Sequence, residues 1–192
     1  MPVVHFITHP EVSIDPSVAV PDWQLSAIGL RRVGLLLERP WIATVRMVFS
    51  SAEPKAAVMA RMMANRLSLS PVIIAGLGEN DRSSTGYLPT TEFETVADTF
   101  FARPEESVRG WERAVDAQRR IVMAVDHALS MISADGDVAV ISHGGVGALL
   151  RCHLKGIPIS RTEEQPGYGG GNLYSFDAMT RRLLTGWRRI ET

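Results

Sequence analysis

The sequence predicts an α/β fold with a mainly parallel central sheet covered by helices on both faces. Three observations carry this. Apolar, β-branched runs stand at 3–8, 45–49 and 138–142, and each stops at polar residues. Such runs read as buried parallel strands ending at loops. Amphipathic helical stretches alternate with them, which requires crossover connections between parallel strands. The last segment, Asn172 to Phe176 and Arg182 to Arg188 around Asp177-Ala178-Met179-Thr180, reads as a closing hairpin.

The elements follow in order. After the first strand, residues 10–24 are proline-rich and read as a loop. Ser26 is a good N-cap for a helix with Leu30, Val33, Leu36 and Leu37 on its inner face, and Pro40 ends it. The strand at 45–49 leads through Ser50-Ser51 into a helix over about 53–67, with Val58, Met62 and Met63 facing inward as core filler. Residues 71–75 form a third short strand. The aperiodic stretch 76–86 is long for a compact domain, and such loops are usually functional or mobile. A short helix is expected at 91–101. A long one starts near Arg109 with Trp111, Val115, Ile121 or Val122, Val125, Leu129 and Ile132 at helical spacing. Asp135-Gly136 is a turn. The strand at 138–142 precedes a helix at about 144–154, and 155–170 is a glycine- and proline-containing loop.

With 192 residues the chain fits one domain, 1–192, with a lid-like loop at about 76–90 and a core of normal size. A formal net charge of −1 provides no basic field for nucleic acid. Cys152 is the only cysteine, which excludes a disulfide framework, and its apolar surroundings favour a buried thiol. No stretch is apolar enough to span a bilayer, and no signal peptide is evident, so a cytoplasmic setting is expected.

His9 and His143 each stand just past a strand. In open α/β sheets, ligands bind outside the carboxyl ends of the strands, so two distant imidazoles can meet at one rim together with Ser50-Ser51. That pairing suggests nucleophilic or proton-transfer chemistry. His5 shares the strand face of His9 but lies deeper and shows no carboxylate neighbour in sequence. His127 and His153 read as surface residues and the four tryptophans as core or rim. No histidine spacing suggests a metal site.

These segments resemble the histidine phosphatase superfamily, which includes the phosphoglycerate mutases. The family's Arg-His-Gly corresponds to Thr8-His9-Pro10, and its Leu-Thr-x-x-Gly to Leu25-Ser26-Ala27-Ile28-Gly29. Its Ser-Ser and following arginine correspond to Ser50-Ser51 and Lys55. Its loop glutamate corresponds to Gly78-Glu79, and its Ser-His-Gly-Gly to Ser142-His143-Gly144-Gly145. The similarity runs from about residue 3 to 177. It implies a three-layer α/β/α sandwich of the phosphoglycerate mutase type and a metal-independent, cofactor-free phosphatase acting on a phosphate monoester. It further implies that His9 becomes phosphohistidine, His143 donates to phosphoryl oxygens, and Glu79 acts as acid and then base. Thr8, Ser50, Lys55, Arg82 and Gly144 would bind the substrate. A homodimer is a family-level expectation.

Both family arginines are replaced, by Thr8 and Lys55. Arginine is a rigid bidentate fork, whereas lysine is a flexible point charge. Arg82 and Arg109 are the candidate replacements. Pro10 removes an amide where the family has glycine. Asp81, two residues from Glu79, either raises the pKa of that acid, serves as the acid itself, or pairs with Arg82 or Lys55. The alternative functions are a non-catalytic phospho-ligand binding protein on the same fold and a mutase-type phosphotransferase.

Overall fold

The computed structural model describes residues 2–132, 136–167 and 169–192. Six strands form one sheet: β1 (Val3–Thr8), β2 (Val45–Ser50), β3 (Val72–Ile73), β4 (Asp137–Ser142), β5 (Asn172–Asp177) and β6 (Arg188–Arg189). Five helices join them: α1 (Ala27–Leu37), α2 (Pro54–Leu67), α3 (Thr90–Ala102), α4 (Ala114–Ser130) and α5 (Gly144–Lys155). The strand order is β3-β2-β4-β1-β5-β6. The first four strands are parallel, while β5 runs antiparallel to β1 and β6 antiparallel to β5.

Side-chain alternation along the strands makes the three layers. Val4 and Phe6 of β1 join Val138 and Val140 of β4 against Phe100 of α3, Ile121 and Val125 of α4, and Leu149 of α5. Ile7, Ala139 and Ile141 face the other way, onto Val33 and Leu36 of α1 and Met59 and Met63 of α2. Each such side chain fully withdrawn from water contributes about 1.5–3 kcal/mol. Register places Thr8 opposite Ser142 and Ser50 opposite Ile141, so β1, β2 and β4 all end at one rim.

Several boundaries differ from the sequence reading. Ser26 caps α1 as expected, its Oγ accepting from the Gly29 amide at 3.0 Å. The buried stripe of α1 is Gly29, Arg32, Val33 and Leu36, however, and Leu30 is exposed. Arg32 displaces it because its guanidinium is satisfied by Glu11, Glu191 and the Gly170 and Gly171 carbonyls. On α2, Met59 and Met63 are buried, while Val58 and Met62 lie only at the edge of the core. β3 is two residues long because it pairs only with Phe49 and Ser50. α4 begins at Ala114, not near Arg109: residues 108–110 form a tight turn with Arg109 at a left-handed φ of 53°, and Trp111 is buried ahead of the helix against Phe93 and Phe100. The return arm of the hairpin is mostly irregular, with β6 and a single bridge from Leu183 to Phe176. Asp135 of the predicted turn lies outside the described residues. No helix among those described is long and apolar enough to cross a membrane.

Candidate active site

His9 is fixed at the rim by its own backbone. Its N–H donates to the Ser142 carbonyl at 3.2 Å, and its carbonyl accepts from the Gly171 amide at 2.9 Å. Gly170 must be glycine beside it: φ is +68°, and a Cβ there would stand 2.3 Å from the His9 oxygen. The imidazole Nδ1 lies 2.9 Å from the Pro10 carbonyl oxygen. A carbonyl only accepts, so Nδ1 carries the proton and Nε2 keeps its lone pair. Proline removes an N–H but keeps its C=O, and the C=O is the group that sets this tautomer. Burial, aided by the neighbouring His143, pushes the His9 pKa down to about 3 against the raising effect of the Pro10 carbonyl. The ring is therefore neutral at physiological pH.

His143 ends β4 and caps α5. Its ring stands edge-on to that of His9, with centroids 5.1 Å apart and planes at 68°. Its Nε2 is 2.8 Å from Ser51 Oγ and 3.3 Å from Glu53 Oε1. Its Nδ1 is buried without a partner. Burial lowers the His143 pKa, opposed by the charges of Glu53 and Glu79.

Glu79 reaches the N-terminus of α5. Its two carboxylate oxygens accept from the Gly145 amide at 3.0 Å and the Val146 amide at 2.9 Å. The free amides of a helix N-terminus favour an anion, and here a side chain supplies it. Burial opposes ionisation of Glu79, but Arg82, His143 and these two amides together hold its pKa down to about 2. The raised pKa expected of a resting general acid is thus corrected by the structure. Asp81 is not the cause of any rise: it is exposed, accepts from the Ser83 amide at 2.8 Å, and has a lowered pKa because of those Ser83 hydrogen bonds. It pairs with neither Arg82 nor Lys55.

The expected substrate-binding residues divide into two groups. Arg82 and Gly144 line a cleft of about 510 Å³, together with His9, Pro10, Glu79 and Gly145. The Arg82 guanidinium lies over the rings of Phe93, at 5.1 Å, and Trp111, at 5.6 Å. Thr8, Ser50 and Lys55 are not in that cleft. Thr8 donates to Gln165 at 2.7 Å and accepts from the Asn172 amide. The Ser50 hydroxyl donates to the Ser51 carbonyl. Lys55 is buried and gives its ammonium protons to the Val20 and Pro21 carbonyls at 2.8 and 3.0 Å and to Glu53 at 2.6 Å, so none is left for a phosphate. Arg109 pairs with Glu92 and does not line the cleft.

Glu53 was not singled out from sequence. Its position two residues before Lys55 at a helix start was the available signal. Besides Lys55 and His143, it accepts from the Glu79 amide at 2.8 Å, so one carboxylate ties α2, the end of β4 and the loop that carries Glu79 together. Arg161, on the outer cleft wall, is held by Glu94, Asp98 and Glu164, a cluster drawn from helix and loop segments that sequence periodicity does not bring together. His5 does have a carboxylate neighbour: its Nε2 is 3.8 Å from Asp137, paired across the sheet. Among the described residues no three His, Cys, Asp or Glu side chains are placed to hold a metal.

A mainly parallel α/β sheet thus brings two facing histidines and a helix N-terminus to one rim. The model of the histidine phosphatase superfamily, branch 1, matches residues 10–184, and the chain belongs to that superfamily. The match begins one residue past His9. No curated sequence gives a significant match. Similar solved structures include a mycobacterial glucosyl-3-phosphoglycerate phosphatase with inorganic phosphate, at 17% identity and TM-score 0.78 over 100% of both chains. Bacillus stearothermophilus YhfR is 18% identical with a TM-score of 0.79, over 95% of this chain and 94% of that one. An Entamoeba histolytica phosphoserine phosphatase in complex with 3-phosphoglyceric acid is 14% identical with a TM-score of 0.73 over 100% of both. The fold is the phosphoglycerate mutase-like α/β fold of these neighbours.

Proposed function

We propose that the protein is a metal-independent phosphomonoesterase working through a phosphohistidine on His9. The observation that carries this is the His9 imidazole: neutral, fixed by the Pro10 carbonyl with its Nε2 lone pair free, and open to the cleft. Nε2 attacks phosphorus in line, the ester P–O bond breaks, and the departing alkoxide takes a proton. Water then attacks the phosphohistidine, the P–N bond breaks, and inorganic phosphate leaves. Glu79 is the proposed proton donor and later base. Arriving phosphoryl oxygens compete for the Gly145 and Val146 amides and place negative charge beside the carboxylate, and both effects raise its affinity for a proton. Arg82, a cleft cation with no ion pair among the described residues, neutralises charge on the equatorial oxygens. The reading that the fold only binds phospho-ligands draws on Lys55, whose donors are all committed.

Rapid mixing with an aryl phosphate and a base quench separates the two. The expected result is an acid-labile, base-stable phosphate on His9. His9→Ala is expected to lose that label and turnover, by at least about ten-thousand-fold, as removal of a nucleophile does elsewhere. Ester binding without any label overturns the phosphatase reading.

A further inference from the structure

We propose that an anion entering this site brings a proton with it, which is held on His143 with Glu53 as its counter-ion. The inference rests on the reading of the cleft as a phosphoryl site. It starts from the charges around His143. Glu53 and Lys55 face it from the start of α2, Glu79 and Arg82 from the lid loop, and His9 from the end of β1. The two carboxylates and two cations cancel, and burial keeps the two imidazoles neutral. The core of this cluster is dry: His143 is 1% exposed and Lys55 4%.

A phosphoryl dianion therefore meets no net positive charge, and an uncompensated buried charge is strongly unfavourable. Protons are the remaining source of compensation. One belongs on Glu79, where the leaving group needs it. The other has few places to go. Lys55 and Arg82 are already charged. His9 must keep Nε2 free to attack. His143 alone combines an available nitrogen with an adjacent carboxylate, Glu53 Oε1 at 3.3 Å from Nε2.

The orphaned Nδ1 fits the same conclusion. A buried polar atom without a partner is unfavourable, and this one belongs to the ring that stands edge-on to His9, so an anion at His9 is within its reach as a new partner. Phosphoryl oxygens accept and do not donate. With Nε2 shared between Ser51 and Glu53, protonation makes Nδ1 a donor to the anion while Glu53 balances the new charge. A mobile proton on His143 thus takes the place of a fixed guanidinium. Glu53 is a positioning residue in this scheme and does not touch the substrate.

Sulfate keeps its charge across the neutral range and is the probe. Its binding to the full chain is measured by calorimetry near pH 7 in two buffers of different ionisation enthalpy. Wild type is expected to take up about one proton more per sulfate than Glu53→Gln, whose affinity for sulfate is about tenfold lower. In 15N-histidine-labelled wild type, the resonance lost in His143→Gln is expected to move to the imidazolium position on sulfate addition. This second reading stands even if Glu53→Gln fails to fold. Sulfate binding with His143 still neutral, or with equal uptake in Glu53→Gln, overturns the inference and leaves the phosphatase reading in place. Absence of sulfate binding removes the anion site itself, and both readings fall together.

Discussion

On the lid side of His9, Arg82 rests on Phe93 and Trp111, lines the cleft, and forms no ion pair among the described residues. On the α2 side, Lys55 is sealed among two carbonyls and Glu53. Both cations act on His143, yet only Arg82 lines the cleft. The difference shows that position beside the histidines and access to the cleft are separate properties. A compact, easily enclosed ammonium acts as a strut between α2 and the loop at 20–21. A guanidinium on the lid occupies the open wall instead.

The comparison is broken most forcefully at Lys55. Lys55→Ala leaves the half-buried Glu53 without its ammonium and the Val20 and Pro21 carbonyls without their donor, and is expected to cost about 3 kcal/mol of stability, read as a lower denaturant midpoint. A loss confined to catalysis, with the midpoint unchanged, would return Lys55 to the substrate side. Arg82→Ala is expected to do the reverse. It should lower kcat/KM for an aryl phosphate by about a hundred-fold, the scale of one lost transition-state donor, with little change in stability.

Acid tests the dry cluster as a whole. His9 binds protons more weakly folded, at about 3, than unfolded, at 6.5. Below pH 6.5 the unfolded chain therefore takes up more protons, and stability falls as pH falls through the window from 6.5 towards 3. Glu79, with a depressed pKa of about 2 against an ordinary 4.5, adds a further loss below 4.5. The unfolding free energy of wild type should fall by about 1–2 kcal/mol between pH 7 and pH 5 on account of His9, a part of the pH dependence that is lost in His9→Gln. The mildest change is Thr8→Val, which removes the hydroxyl bonds to Gln165 and Asn172. About 1 kcal/mol of stability is expected to go, with activity nearly unchanged.

The strands ending at His9, Ser50 and His143 were readable because runs such as Val138 to Ile141 are apolar on both faces and stop at polar residues. Arg82 was readable as a candidate because the lid carries few cations. What escaped was whatever depends on contacts between distant segments. Leu30 fits the apolar stripe of α1 by spacing, but Arg32 takes the inner face once Glu11 and Glu191 come together around it. Thr8 and Lys55 find partners at 165, 20 and 21, in stretches without periodicity, and at Asn172 of the neighbouring strand β5. Glu53 reads as an ordinary helix-start acid until β4 brings His143 beside it. The pKa of Glu79 also depends on the α5 amides, which no spacing within its own loop reveals.

Arg82 has a consequence beyond charge. Its guanidinium sits 5.6 Å from the indole of Trp111, and that indole's N–H is fixed by Thr85 Oγ1 at 2.9 Å. Indole emission responds to a cation on its face. An anion that draws Arg82 off the ring changes the light Trp111 gives out, while Trp23, Trp41 and Trp187 lie away from the cleft lining. Filling of the proposed site is therefore expected to register in the emission of Trp111, readable without label, substrate turnover or mutation.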